Sequence, residues 1–194
     1  QPAADAAGPN EVTDIAPGTC VEYASTPEGS RLTLQGTDAA TTILDAGDVP
    51  FATYRRVFLI KGPRTTVTLS RLTIRNGLGA GTAVGMMLMW HARVTLVDSI
   101  VTQHQGGPAI ACGDGGAVLV VRNSTISDNG DNGIGFNVIS GGLGCRTTVS
   151  RSAIVNNGGH GIRANRPVKV EHSTISGNGG AGIRLVTQVV VQVK

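Results

Sequence analysis

Short alternations of apolar and polar residues recur along the chain as one phrase, at Leu69 to Ile74, Leu96 to Val101, Val121 to Ile126, Val149 to Ile154 and Val170 to Ile175. The closing aliphatic residues, 74, 101, 126, 154 and 175, are 27, 25, 28 and 21 positions apart. A period of that length marks stacked coils, each too small to bury its own apolar face. Strands this short do not stand alone, so neighbouring coils must supply both hydrogen bonds and apolar contacts, which predicts parallel stacking.

Superposing the coils turns the pattern into columns. Val67, Val94, Leu119, Thr147 and Val168 form one, Leu69, Leu96, Val121, Val149 and Val170 a second, and Ile74, Val101, Ile126, Ile154 and Ile175 a third. Aliphatic side chains at nearly every level are expected of an interior site repeated along a tube. Between the second and third columns run Leu72, Ser99, Ser124, Ser152 and Ser173, after a corner that Glu171 and His172 make in the last coil. The four serines read as an inward structural stack. Asn129, Asn157 and Asn178 precede glycines at the next corner and read as a turn ladder, with Asn76-Gly77 a shifted version and His104 in the corresponding place of its coil. In the strand that follows, Ile110 and Cys112, Ile134 and Phe136, Ile162 and Ala164, and Ile183 and Leu185 are expected to face the core. Ala111, Gly135, Arg163 and Arg184 are expected to face solvent.

Composition narrows the class. Apolar residues make up 40% and aromatics only 3%, so the core is aliphatic, and 28 glycines without a three-residue period suit corners and exclude a collagen helix. Sixteen basic against 13 acidic residues leave +3, too dilute for a nucleic-acid surface, and no regular outward threonine array of the kind that would favour ice binding is read. No long apolar segment suggests a transmembrane span. Cys20, Cys112 and Cys145 have no metal-ligand spacing; three buried thiols, or a Cys112 to Cys145 disulfide with Cys20 left over, both fit. The opening Gln1 to Ala7 looks like the mature start of an exported precursor or an excised domain. Residues 1–14 are expected to be flexible. A β-helix domain is expected over 15–194, with irregular first coils to about 66, where Asp45 to Tyr54 is an excursion, and regular coils from 67. Val189, Val191 and Val193 end without a polar cap, so either the native sequence continues or this end meets a partner, including another copy end to end.

The repeated phrases at Ser124 to Ile134 and Ser173 to Ile183 make the chain resemble the right-handed parallel β-helix repeat family, which shares the architecture of pectin and pectate lyases. The resemblance implies an all-β, single-stranded, right-handed parallel β-helix of about seven coils. It places Gly182 to Leu185 in the first sheet, the strand before Glu171 in the second, and Ser173 to Ile175 in the third. The expected location is outside the cell or on its surface, in a bacterium. Lyases of this family use calcium held by acidic clusters and an arginine beside the sugar cleft. Here Asp98 and Asp114 are isolated acids, and Trp90-His91 is followed by Ala92-Arg93 rather than by the family's isoleucine-aspartate-histidine order.

Two surface constellations carry candidate chemistry. Arg163 and Arg184, one coil apart on an outward column near His160, present two cations to a carboxylated sugar, with His172 of the same group read at another corner. Trp90, the only tryptophan, lies beside His91 and Arg93, with His104 and Asp114 as further members of that group, and offers a stacking platform for a sugar. The glycine-rich stretches Asn76 to Gly85 and Asn137 to Cys145 are loops that can widen a groove. The expected function is noncatalytic recognition of carbohydrate or a cell surface, adhesion or spacing, with acidic polysaccharide or a surface component as partner and no cofactor or metal. The alternative is a lyase that cleaves uronate glycans by β-elimination, the one reading in which calcium enters.

Overall fold

The computed structural model describes residues 11–21, 23–47, 54–79, 85–113, 116–136, 144–186 and 190–194. The chain winds through three parallel sheets in turn, so each sheet gains one strand per coil. The second sheet has eight strands: Glu11–Ile15, Arg31–Gly36, Thr66–Ser70, Arg93–Val97, Val118–Arg122, Arg146–Ser150, Val168–Glu171 and Val191–Val193. The third has seven: Gly18–Val21, Thr42–Asp45, Thr73–Arg75, Ile100–Thr102, Thr125–Ser127, Ala153–Val155 and Thr174–Ser176. Ala24–Ser25, Phe58–Lys61, Met86–Met89, Ile110–Cys112, Ile134–Phe136, Ile162–Ala164 and Ile183–Leu185 make the first. A two-stranded antiparallel ribbon, Tyr54–Arg55 with Leu78–Gly79, sits apart from them. The fold is thus an all-β parallel solenoid of about seven coils.

The aliphatic columns meet as the alternation predicts. Leu69, Leu96, Val121 and Val149 pair in successive strands, as do Ile74, Val101, Ile126 and Ile154, and all eight are fully buried. Each such side chain contributes roughly 1.5–3 kcal/mol by leaving water. Cys112 and Cys145 form a disulfide that ties the fourth coil of the first sheet to the start of the sixth coil of the second, leaving Cys20 free and exposed.

At the serine corner, Arg71, Asp98, Asn123, Arg151 and His172 all take left-handed backbone angles, with φ between 47 and 54°. That turns the strand sharply and aims the next residue inward. There Ser99, Ser124, Ser152 and Ser173 form a continuous ladder. Each hydroxyl donates to the carbonyl two residues earlier at 2.6–2.8 Å and accepts the backbone N–H of the preceding coil at 3.1–3.2 Å, the first of these N–H groups being that of Leu72.

Three expectations need correction. Residues 11–14 are not a flexible lead but, with Ile15, a strand in register with Leu32 to Gly36, so the stack already includes Glu11. Hydropathy was silent because Glu11 and Thr13 occupy the levels of Leu32 and Leu34; backbone pairing needs no apolar side chain. Residues 1–10 lie outside the described residues. Ala111, expected in solvent, is fully buried in a small cluster with Leu59 and Met89. Beside it Pro108 packs so closely over Gly135 that a Cβ there would lie 2.8 Å from the proline ring, so part of the first sheet's outer face is covered by chain. Finally, an outward threonine column does exist: Thr33, Thr68, Thr95 and Thr148 share one level of the second sheet, with Val120 between the last two.

Candidate functional site

The asparagine corner is densely hydrogen-bonded. Asn178 Oδ1 accepts from the backbone and side-chain nitrogens of Asn157 at 3.0 and 2.9 Å, and Asn157 Oδ1 accepts likewise from Asn129 at 3.3 and 2.8 Å. Each Nδ2 also donates to the aliphatic carbonyl one coil back: Asn178 to Ile154, Asn157 to Ile126, Asn129 to Val101. His104 takes the next place and copies both bonds. Its Nδ1 accepts the Gly77 N–H at 2.8 Å, and its Nε2 lies 3.2 Å from the Ile74 carbonyl, in the same column, which fixes the neutral ring with the proton on Nε2. Burial is the main force on this ring and pushes its pKa down to about 4, against the opposing pull of the Ile74 bond and the Asp45 charge. Gly85 faces the ring so closely that a Cβ there would lie 2.7 Å from Nε2.

Gly77 ends the ladder, and a cleft of about 530 Å3 opens there. Its polar lining comes from Asp45, Arg55, Asn76, Gln103 and Gln105, and its apolar wall from Val21 and Leu78. Asp45 sits at the end of its strand one level below Arg75, whose Nε donates to Oδ2 at 2.7 Å, while Asn76 Nδ2 donates to both carboxylate oxygens and the Gly47 N–H to Oδ1. Desolvation opposes the charge on Asp45, but the bonds from Arg75, Gly47 and Asn76 outweigh it and hold the carboxyl below its ordinary range. Arg55 donates to the Gly47 carbonyl and so closes the turn beside it. Backbone bonds from Gln105 N–H to the Gly77 carbonyl and from Gly79 N–H to the Gln105 carbonyl hold two walls together. The side chains of Gln103 and Gln105 stay exposed. The cleft therefore offers amide donors and acceptors over a charge-neutralised floor.

The residues singled out from sequence are distributed differently. Arg163 and Arg184 are register partners in the first sheet, Arg184 exposed and Arg163 half-buried with its guanidinium 4.8 Å from the Phe136 ring centre. His160 serves the turn below them: its Nδ1 accepts the Ala181 N–H at 2.8 Å and its own N–H donates to Asn132 Oδ1. His172 stands at the serine corner, away from that pair. Trp90 and His91 both adopt left-handed angles between the first and second sheets, where Trp90 is 42% exposed and Lys61 Nζ lies 5.8 Å from its ring. His104 belongs to a different corner, so it does not join them, and Asp114 lies outside the described residues. So do most of the two groove loops, at 80–84 and 137–143. No group of three His, Cys, Asp or Glu side chains able to hold a metal is present among the described residues.

Asp45, Asn76, Gln103 and Gln105 were missed. A signal for one of them was available: Asp45 and its partner Arg75 each follow the third aliphatic column directly, at Leu44 and Ile74, and so face each other across neighbouring coils.

A family model described as a right-handed β-helix region matches residues 57–194. The chain belongs to this family. No curated protein and no solved structure matches it. The match supplies the right-handed winding of this β-helix. Among its described residues no helix is long and apolar enough to cross a membrane.

Proposed function

We propose that this β-helix is a noncatalytic recognition module of an exported or surface protein, and that it binds carbohydrate in the cleft beside Gly77. The observation that carries the reading is the lining of that cleft. Exposed glutamine amides over an apolar wall match the alternating hydroxyl and C–H faces of a sugar. Its ionisable groups are committed elsewhere: Asp45 is held as a carboxylate by three donors and Arg55 donates to the Gly47 carbonyl, while His104, buried behind Gly77, spends both ring nitrogens on backbone. Neither is poised to take a proton from a substrate. The Cys112–Cys145 disulfide supports an oxidising compartment.

The β-elimination alternative draws on the Arg163–Arg184 pair, but the nearest candidate base, His160, already accepts the Ala181 N–H. Two assays test the proposal. Isothermal titration with a panel of neutral and acidic oligosaccharides is expected to find a ligand whose affinity falls roughly tenfold or more in the Gln103→Ala/Gln105→Ala variant, as two lost hydrogen bonds imply. Unsaturated product, followed by absorbance with and without calcium, is expected from none of them. A panel with no ligand sensitive to the double variant, or one that yields product, overturns the reading.

A further inference from the structure

The outer face of the second sheet carries a periodic charge that the cleft does not use. Arg31, Thr66, Arg93, Val118 and Arg146 stand at one level of five successive strands, so an arginine recurs at every second coil. Strands in a sheet are about 4.8 Å apart, which sets these guanidinium positions about 10 Å apart along the axis. Alongside runs the column Thr33, Thr68, Thr95, Val120 and Thr148, and the level beyond it adds Arg122. All four arginines are exposed, and none is paired with a carboxylate among the described residues. Those five strands contain no acidic residue; within the sheet, Glu11 and Asp14 bound the strip in the first strand and Glu171 in the seventh. Two shallow hollows lie along it, one of about 270 Å3 between Glu11, Arg31 and Thr68 at its end, the other of about 230 Å3 beside Arg146, Thr148 and Lys169.

We infer that this strip docks a linear acidic glycan that carries its charge on alternate sugars, laid along the helix axis at about one sugar per coil. A sugar in an extended chain advances by a distance close to the spacing of the coils. Arginine at every second level then meets a carboxylate or sulfate on every second sugar, where its planar fork gives paired hydrogen bonds. The threonine column supplies hydroxyls and methyls to the uncharged sugars between. A nucleic acid fits less well: each strand of a duplex carries a charge about every 3.4 Å along its axis, and the strands of this sheet offer no aromatic ring on which the bases of a single strand would stack. The strip and the cleft lie on different parts of the coil, so this inference goes beyond the cleft reading and does not rest on it.

The test is titration of the full chain with a polymer alternating one uronate and one uncharged N-acetylhexosamine, beside polygalacturonate, a neutral dextran and oligothymidylate. The alternating polymer is expected to bind most tightly and to weaken with added salt. The Arg31→Gln/Arg93→Gln/Arg146→Gln variant, altered only at exposed positions, is expected to unfold at the wild-type temperature and to lose affinity roughly tenfold or more. Arg184→Gln, on another sheet and outside the cleft, is expected to change nothing, so a loss confined to the triple variant separates the strip from the cleft. Unchanged affinity in the triple variant overturns the inference. So does equal or tighter binding of polygalacturonate, and tighter binding of oligothymidylate reassigns the strip to nucleic acid.

Discussion

The same corner of the coil behaves in two ways along the molecule. From the fifth to the seventh coil, Asn129, Asn157 and Asn178 repeat one side chain and one set of bonds, and the corner is closed. From the fourth to the second, the series runs His104, then Gly77, then the Asp45 turn, and the corner opens into a cleft. Identical residues bond to one another across coils and leave nothing for a ligand. Once the repeat is broken, the backbone groups it would have satisfied need other partners, and the side chains brought in to serve them create a site. On a solenoid, departure from the repeat marks where recognition can arise.

The closed half should be the harder to damage without cost. Asn157 is 1% exposed and its side-chain amide takes part in five hydrogen bonds, so Asn157→Ala strands the Asn129 donors and the Ile126 carbonyl in the interior. We expect a loss of about 4 kcal/mol in urea unfolding, several unsatisfied groups at the usual cost of each. A loss below about 1 kcal/mol would mean that water replaces the ladder and that the two halves do not differ in kind.

The hinge between the halves should be sensitive to acid. The folded chain holds His104 neutral down to about pH 4, whereas the unfolded chain protonates it near 6.5. Between those values the unfolded state takes up a proton that the folded state refuses, so stability falls as the pH is lowered and is unaffected above about pH 7. The drop attributable to this residue is about 3 kcal/mol by pH 4. Urea unfolding at a series of pH values reads it directly, and a flat profile between pH 6.5 and 4.5 in the wild type would refute the assignment of the ring as a buried neutral acceptor.

Much of this was legible in the sequence. The columns ending at Ile74, Val101, Ile126, Ile154 and Ile175 fixed the coils because burial repeats at one level and only aliphatic side chains satisfy it. The serine and asparagine corners were legible for the same reason, as identical residues at identical levels. What escaped was whatever does not repeat. Glu11 and Thr13 join the stack through backbone alone, so no periodicity announces them. Ala111 is buried by chain from outside its own column, which alternation cannot report. The cleft unites Asp45, Asn76, Gln103 and Gln105 from three successive coils, and of these only Asn76 recurs at its level, as Asn156. His104 was placed at its corner, but its chemistry depends on which atoms face Gly77 and Ile74, and that is a matter of geometry.

The finest test of the comparison is to extend the closed half by one coil. In His104→Asn the Oδ1 would accept the Gly77 N–H and the Nδ2 would donate toward Ile74, as Asn129 does toward Val101. An asparagine reaches less far than the Nε2 of the imidazole, so the second bond must be regained by a small inward shift of the turn, and the ring volume is only partly filled. Near pH 7 these losses nearly offset the restored ladder, and the variant should unfold within about 1 kcal/mol of the wild type. At pH 4 the order should reverse clearly, because asparagine carries no proton equilibrium and the variant is spared the acid penalty that the histidine imposes. The two stability profiles are therefore expected to cross or meet near pH 7 and to diverge steadily below 6.5. Parallel profiles would show that the acid sensitivity belongs to the carboxylates and that His104 holds its corner by shape alone.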